Sequence, residues 1–212
     1  MIRAVLLALA VPVVGGALAQ DRPPPPRPAG EAPIAAPVAV VAAGPVCRLG
    51  GLVGRPEAPR SEQGGCRLTD GVALDAIGGI ALTPAPVVTC ETARTVAQWL
   101  EVVARPALSG TGGGLAGLEM AAGYACRTRN NQPGAKISEH ALGRAVDIMA
   151  LRLRDGRVLR IGDATGAEAA LVARLRAGAC GPFTTVLGPG SDAFHAEHLH
   201  FDIAERRRTY CR

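Results

Sequence analysis

An α+β domain is the fold class that this 212-residue chain predicts. Three observations carry the reading: helical periodicity is confined to two stretches, alternating strand patterns cluster in the C-terminal half, and no repeated unit of strand and crossover helix is present to build a doubly wound sheet.

Residues 1–19 read as a signal peptide. Arg3 precedes an almost unbroken apolar run from Ala4 to Val14, and Ala17-Leu-Ala19 has the small-x-small pattern of a cleavage site. The run is too short to span a membrane, so no stable span is expected once it is removed. Residues 20–45 form a Pro/Ala-rich linker, with Pro23-Pro-Pro-Pro26 and further prolines at 28, 33, 37 and 45, a composition that makes an extended spacer. Residues 46–212 remain, enough for one domain with a real core and short for two.

All six cysteines lie in that last stretch, at 47, 66, 90, 126, 180 and 211. An even count in an exported chain favours three disulfides, although spacing does not choose among the fifteen pairings. No CxxC pair is present to hold a metal. Disulfides and leader together place the protein in a periplasm or outside the cell, where a cysteine nucleophile is not expected. The formal charge is +5, with a basic run Arg206-Arg-Arg208. Such a field suits an anionic wall polymer or membrane face. Nucleic acid is excluded as a partner by scarce aromatics, the absence of a reading motif, and export.

Within the domain, Thr89 to Val103 predicts a helix. Thr89 or Glu91 can cap it, Val96, Leu100 and Val103 recur at helical spacing beside Trp99, and Pro106 is expected to stop it. Leu115 to Tyr124 predicts a strand leading to Cys126, and Arg127-Thr-Arg-Asn-Asn131 a loop. Gly112-Gly-Gly114 lacks the lysine of a phosphate loop and reads as a turn. Arg144-Ala-Val-Asp-Ile148 alternates as a strand, and Leu151 to Ile161 has the form of a hairpin around Asp155-Gly156. Ala167 to Ala177 predicts the second helix. A glycine-rich approach, Gly181 to Gly190, leads to the final strand, His198 to Ile203.

The chain's four histidines all fall in two short segments, Lys136 to Asp147 and Phe194 to Asp202. His140, Asp147 and His200 offer the mixed shell of a catalytic zinc, which leaves a position for water. Glu197 is the candidate general base and proton donor. Strand alternation puts His198, His200 and Asp202 on one face and Glu197 on the other, so Glu197 joins the site only from the turn that enters the strand. His198 is the candidate stabiliser of the developing oxyanion. Gly143 turns the chain between the two ligands, and Ser138 caps or orients that turn.

Ser138-Glu-His140-Ala-Leu-Gly143-Arg-Ala145-Val-Asp147 resembles the SxHxxGxAxD motif of the zinc D-Ala-D-Ala carboxypeptidase, dipeptidase and murein endopeptidase superfamily. Glu197-His-Leu-His200 resembles its ExxH element combined with the HxH variant. From about Cys47 to Arg212 the chain more closely resembles the bacterial extensin-like C-terminal domain family, through Tyr124-Ala-Cys-Arg-Thr-Arg-Asn130, Cys180-Gly-Pro-Phe183 and Leu187-Gly-Pro-Gly190. The resemblance implies a small antiparallel sheet flanked by helices, Zn2+ at His140, Asp147 and His200, and Glu197 or His198 at the catalytic step. It also implies Arg127 as a substrate-positioning residue that pairs with a carboxylate, with Ser138 beside it and Arg129 and Lys136 as weaker substitutes. His195 is expected at the rim. The activity so implied is zinc-dependent hydrolysis of an amide bond in peptidoglycan stem peptides or cross-links. The alternative is a non-catalytic, zinc-stabilised cell-wall-binding module.

Overall fold

The computed structural model describes residues 42–212; the stretch expected as signal peptide and most of that expected as linker lie outside the described residues. The described strands are β1 (Gly44–Pro45), β2 (Leu52–Pro56), β3 (Arg60–Ser61), β4 (Arg67–Leu68), β5 (Gly71–Ile77), β6 (Ile80–Thr83), β7 (Val87–Thr89), β8 (Leu115–Ala122), β9 (Ala145–Leu153), β10 (Val158–Arg160), β11 (Thr185–Leu187), β12 (Leu199–Asp202) and β13 (Tyr210–Cys211). Eleven of them form one sheet, ordered β1-β2-β5-β6-β8-β9-β12-β11-β13, with β7 on β5 and β10 on β9. β3 and β4 pair separately. The α+β class holds.

The expected small antiparallel sheet is instead a large mixed one. β6 pairs with β8 in parallel, and β11 with β13. A parallel joint needs a long crossover, and the helical segment from Cys90 to Leu108 supplies the first one. Of the strands before Thr89, β5 carries no readable alternation because it is buried along most of its length, which erases the polar half of the pattern, and β1, β3, β4 and β7 are only two or three residues long. β11 hides within the glycine-rich approach for a different reason: it is only three residues long.

Helix α1 (Cys90–Trp99) starts where capping chemistry places it, with Thr89 Oγ1 accepting from Thr92 N. Ala93, Val96, Trp99 and Leu100 are buried at helical spacing. Pro106 does not stop it. The chain passes through a π-helical turn, Leu100–Ala104, and re-enters α-helix as α2 (Arg105–Leu108), with Pro106 in its first turn. Arg105 N–H donates five residues back to Leu100 O; the widened turn relieves the clash a proline ring makes with the preceding carbonyls. Helix α3 (Gly166–Ala179) packs beside this segment, and its Leu175 carbonyl accepts from Trp99 Nε1 at 3.1 Å.

The central strands carry the site. β9 pairs with β12 in antiparallel register, His200 opposite Asp147 and Asp202 opposite Ala145. Successive side chains point to opposite faces, so Leu199 and Phe201 enter the core while His200 and Asp202 face away from it. Phe201 meets Trp99 edge-on, centroids 5.2 Å apart, and Phe183 at 5.0 Å. Each of these fully buried rings contributes about 1.5–3 kcal/mol by leaving water.

The six cysteines form the three expected disulfides: Cys47–Cys90, Cys66–Cys126 and Cys180–Cys211. Among the described residues no helix is long and apolar enough to cross a membrane.

Candidate metal centre

His140 stands on a short 3-10 turn, Glu139–Leu142, immediately before β9. Ser138 caps the turn, its Oγ accepting from His140 N at 3.3 Å. Gly143 ends it in the left-handed region at φ 67°, with N–H donating to the Glu139 and His140 carbonyls. A side chain there would be strained and would also strike Leu68. The Gly143 carbonyl in turn accepts from Thr89 N and Thr92 Oγ1, both at 2.9 Å. The start of α1 therefore anchors the turn that carries His140.

His140, Asp147 and His200 come together as the sequence reading expected, all three buried. His140 Nε2 lies 3.2 Å from Asp147 Oδ2 and 3.2 Å from His200 Nδ1, and His200 Nδ1 lies 2.8 Å from Asp147 Oδ1. The outward nitrogens are committed elsewhere. His140 Nδ1 is 2.7 Å from the Gly123 carbonyl, which can only accept, so Nδ1 carries that ring's proton and Nε2 offers a lone pair. His200 Nε2 faces Asp202 Oδ2 at 3.2 Å and donates to it. His140 Nε2, His200 Nδ1 and the carboxylate thus meet at one point, where either a proton on His200 Nδ1 or a metal ion can sit between them. An ion with bonds of ~2.1 Å to tetrahedral ligands sets neighbouring donors ~3.4 Å apart, slightly wider than the 2.8–3.2 Å found.

The charges respond accordingly. Burial alone would raise the Asp147 carboxyl, but hydrogen bonds with His140 and His200 outweigh it and hold the group well below the usual carboxylate range. Burial disfavours charge on His200, yet its bonds to Asp147 and Asp202 outweigh that and push it up to about 9. His200 thus carries the proton that balances the cluster. Asp202 is held low despite its burial, chiefly by His200. The same strand face placed Asp202 beside His200 in the sequence; its service as the carboxylate that orients that ring is the arrangement common behind metal-bound histidines. Glu139 was missed by the sequence reading. Desolvation raises its carboxyl, and the nearby Asp202 charge adds to the effect.

The cluster forms the floor of an open cleft of about 540 Å³. His198 lines it, Nε2 3.6 Å from Asp147 Oδ1, and burial pulls its imidazole below the ordinary value. His195 also lines the cleft, bonded through Nδ1 to Asp192 at 2.7 Å. Arg127, Arg129 and Ser138 border the cleft as well; Lys136 and the Gly112–Gly114 turn are not part of its lining. Glu197 is not brought in either. It is exposed in the bend before β12 and packs against Gly162, so even the turn that enters the strand does not deliver it to the cluster. Arg206, Phe194 and Tyr210 also line the cleft, although the sequence reading named none of the three as a site residue.

A family model described as "Extensin-like protein C-terminus" matches residues 47–212. The chain belongs to this family. No curated protein and no solved structure matches. The family is described as part of an extensin-like protein and not as a peptidase, which corrects the expectation of a zinc hydrolase cleaving peptidoglycan stem peptides or cross-links. The peptidoglycan peptide as partner falls with it, and no match supports the D-Ala-D-Ala peptidase kinship that the short motifs implied. Placement of Glu197 outside the cleft agrees: the extensin-like domain does not present that carboxylate to the cluster.

Proposed function

We propose that this extensin-like domain is a non-catalytic, zinc-stabilised cell-wall-binding module, exported to the periplasm or beyond. His140, Asp147 and His200 hold the ion, and the cleft above them seats an anionic group of a wall polymer. The observation that carries the reading is the convergence of His140 Nε2, His200 Nδ1 and both Asp147 oxygens with the outward ring nitrogens already engaged. Two imidazoles and one carboxylate form a donor set suited to zinc. Zinc bound there supplies structural cross-linking between the His140 turn and the paired strands β9 and β12, along with positive charge at the cleft floor.

The protein groups do the rest. Ser138 and Gly143 orient the His140 turn, Asp202 orients His200, and Arg127 presents a planar fork suited to a carboxylate. Among the described residues, Arg127 spends only one long side-chain bond, 3.4 Å, on the neighbouring Thr128 carbonyl. The test is metal content of the stripped and reloaded chain, followed by co-sedimentation with isolated wall material. One zinc per chain, lost in His200→Ala, and wall association that survives Glu197→Gln but falls with chelation is the expected result. A folded chain that takes up no zinc overturns the reading.

A further inference from the structure

The chain has six aromatic residues besides histidine. Trp99, Phe183 and Phe201 are fully buried against one another. Tyr124 lies outside the cleft, its hydroxyl 2.8 Å from Glu62. The other two, Phe194 and Tyr210, are 55% and 46% exposed, and both line the cleft above the histidine cluster. In a protein so poor in aromatics, the two large rings left in water stand at one site. Exposed rings of this kind are the strongest contributors to recognition surfaces.

Both rings rest on fixed backbone. Phe194 lies in the 3-10 turn Ala193–His195, where Asp192 Oδ1 accepts from Phe194 N at 2.8 Å and from His195 N at 3.2 Å. Tyr210 sits in β13, paired with β11 and adjacent to the Cys180–Cys211 bridge. Arg212 lies over the Tyr210 ring, 5.4 Å from its centroid. Around them the rim is polar and basic. Arg127 and Arg129 come from one segment, Arg206 from another, and Asn130, next to Arg129, stands at φ 53°, a left-handed conformation that asparagine tolerates.

This pairing of flat apolar rings with guanidinium forks and an amide has a chemical complement. A pyranose offers a C–H face that stacks on an aromatic ring and an edge of hydroxyls that hydrogen-bond to amides. A carboxylate on that ring fits an arginine fork. We propose that the cleft takes an acidic oligosaccharide, with its sugar rings against Phe194 and Tyr210 and its carboxylates on the rim arginines. The proposal rests on the reading of the site as a binding centre for an anionic wall polymer, and names that polymer's chemistry. An acidic peptide would use the arginines equally well and leave the two rings without a role.

The test is calorimetric titration of the zinc-loaded full-length chain with oligomers of galacturonic and of glucuronic acid, with their methyl esters, and with poly-L-glutamate of matched charge. Either uronide should bind, more tightly than its ester, and Phe194→Ala or Tyr210→Ala should weaken it about tenfold. Poly-L-glutamate binding should be indifferent to both changes. Metal content and melting temperature of the two variants should match the parent, which separates lost stacking from lost fold. Uronide binding that neither alanine weakens, or poly-L-glutamate binding as tight as either uronide, overturns the proposal. Zinc uptake without uronide binding overturns it too and leaves the metal site standing, whereas failure to take up zinc overturns both readings.

Discussion

The floor and the rim of the cleft are built in different ways. On the floor, Asp147 and His200 sit opposite each other in paired strands, so backbone register alone brings the two ligands together. Phe201, one residue on, anchors the same strand in the core. At the rim, Arg127 follows Cys126 on a segment tied to Cys66, and Tyr210 precedes Cys211, tied to Cys180. Sheet hydrogen bonds position two of the three candidate ligands, Asp147 and His200, while His140 rides on a turn before β9; covalent bridges restrain two of the segments that form the rim. Short or irregular segments gain most from such ties because ordering them otherwise costs conformational entropy with little burial to offset it.

Perturbing one region should leave the other intact. The largest effect is expected from Asp147→Asn, which removes the charge that His140 and His200 share: zinc stoichiometry should fall from one to none by elemental analysis. Replacing Cys66 and Cys126 together by serine should cost about 2–4 kcal/mol of stability in denaturant titration and weaken uptake of anionic polymer, with zinc stoichiometry unchanged. Loss of metal in that double variant would show that floor and rim are one unit. Asp202→Asn should weaken zinc binding about 10–100-fold in a chelator competition, with the ligands themselves intact.

Acidity offers a milder probe. His200 is raised to about 9, so in the metal-free chain its contribution to stability is present below its unfolded value of about 6.5 and is lost as pH rises through 9. Zinc must displace that proton, so affinity should move the opposite way and rise about tenfold per pH unit at most between about 6.5 and 9. Melting temperature of the stripped protein and zinc affinity should therefore run in opposite directions; parallel trends would place the proton elsewhere. The smallest effect is expected for Glu197→Gln, within about 0.5 kcal/mol in stability and without change in metal content, because that side chain is exposed outside the cleft.

The parts legible beforehand were those governed by short-range chemistry. The Thr89 cap, the Asp155-Gly156 hairpin and the alternation of His200 with Phe201 depend on residues within a turn or two of one another. β5 was hidden by burial that removes the polar alternation, and β11 by its length. Pro106 was misread because a π-helical turn just before it accommodates the ring. Arg206 and Tyr210 gave no local sign of sharing a site with the histidine segment that Phe194 opens, since only folding brings those segments to one opening.

By itself, then, the sequence determined the class of the fold and singled out His140, Asp147 and His200 as a candidate ligand set: residue type and spacing decide which atoms can hold a metal and which face of a strand they occupy. Tertiary structure decided the rest. It set how many strands the sheet contains, kept Glu197 out of the cleft, made Asp202 the partner of His200, and gathered arginines and exposed rings around the opening. Those outcomes depend on register and crossover between segments far apart in the chain, which no local pattern encodes.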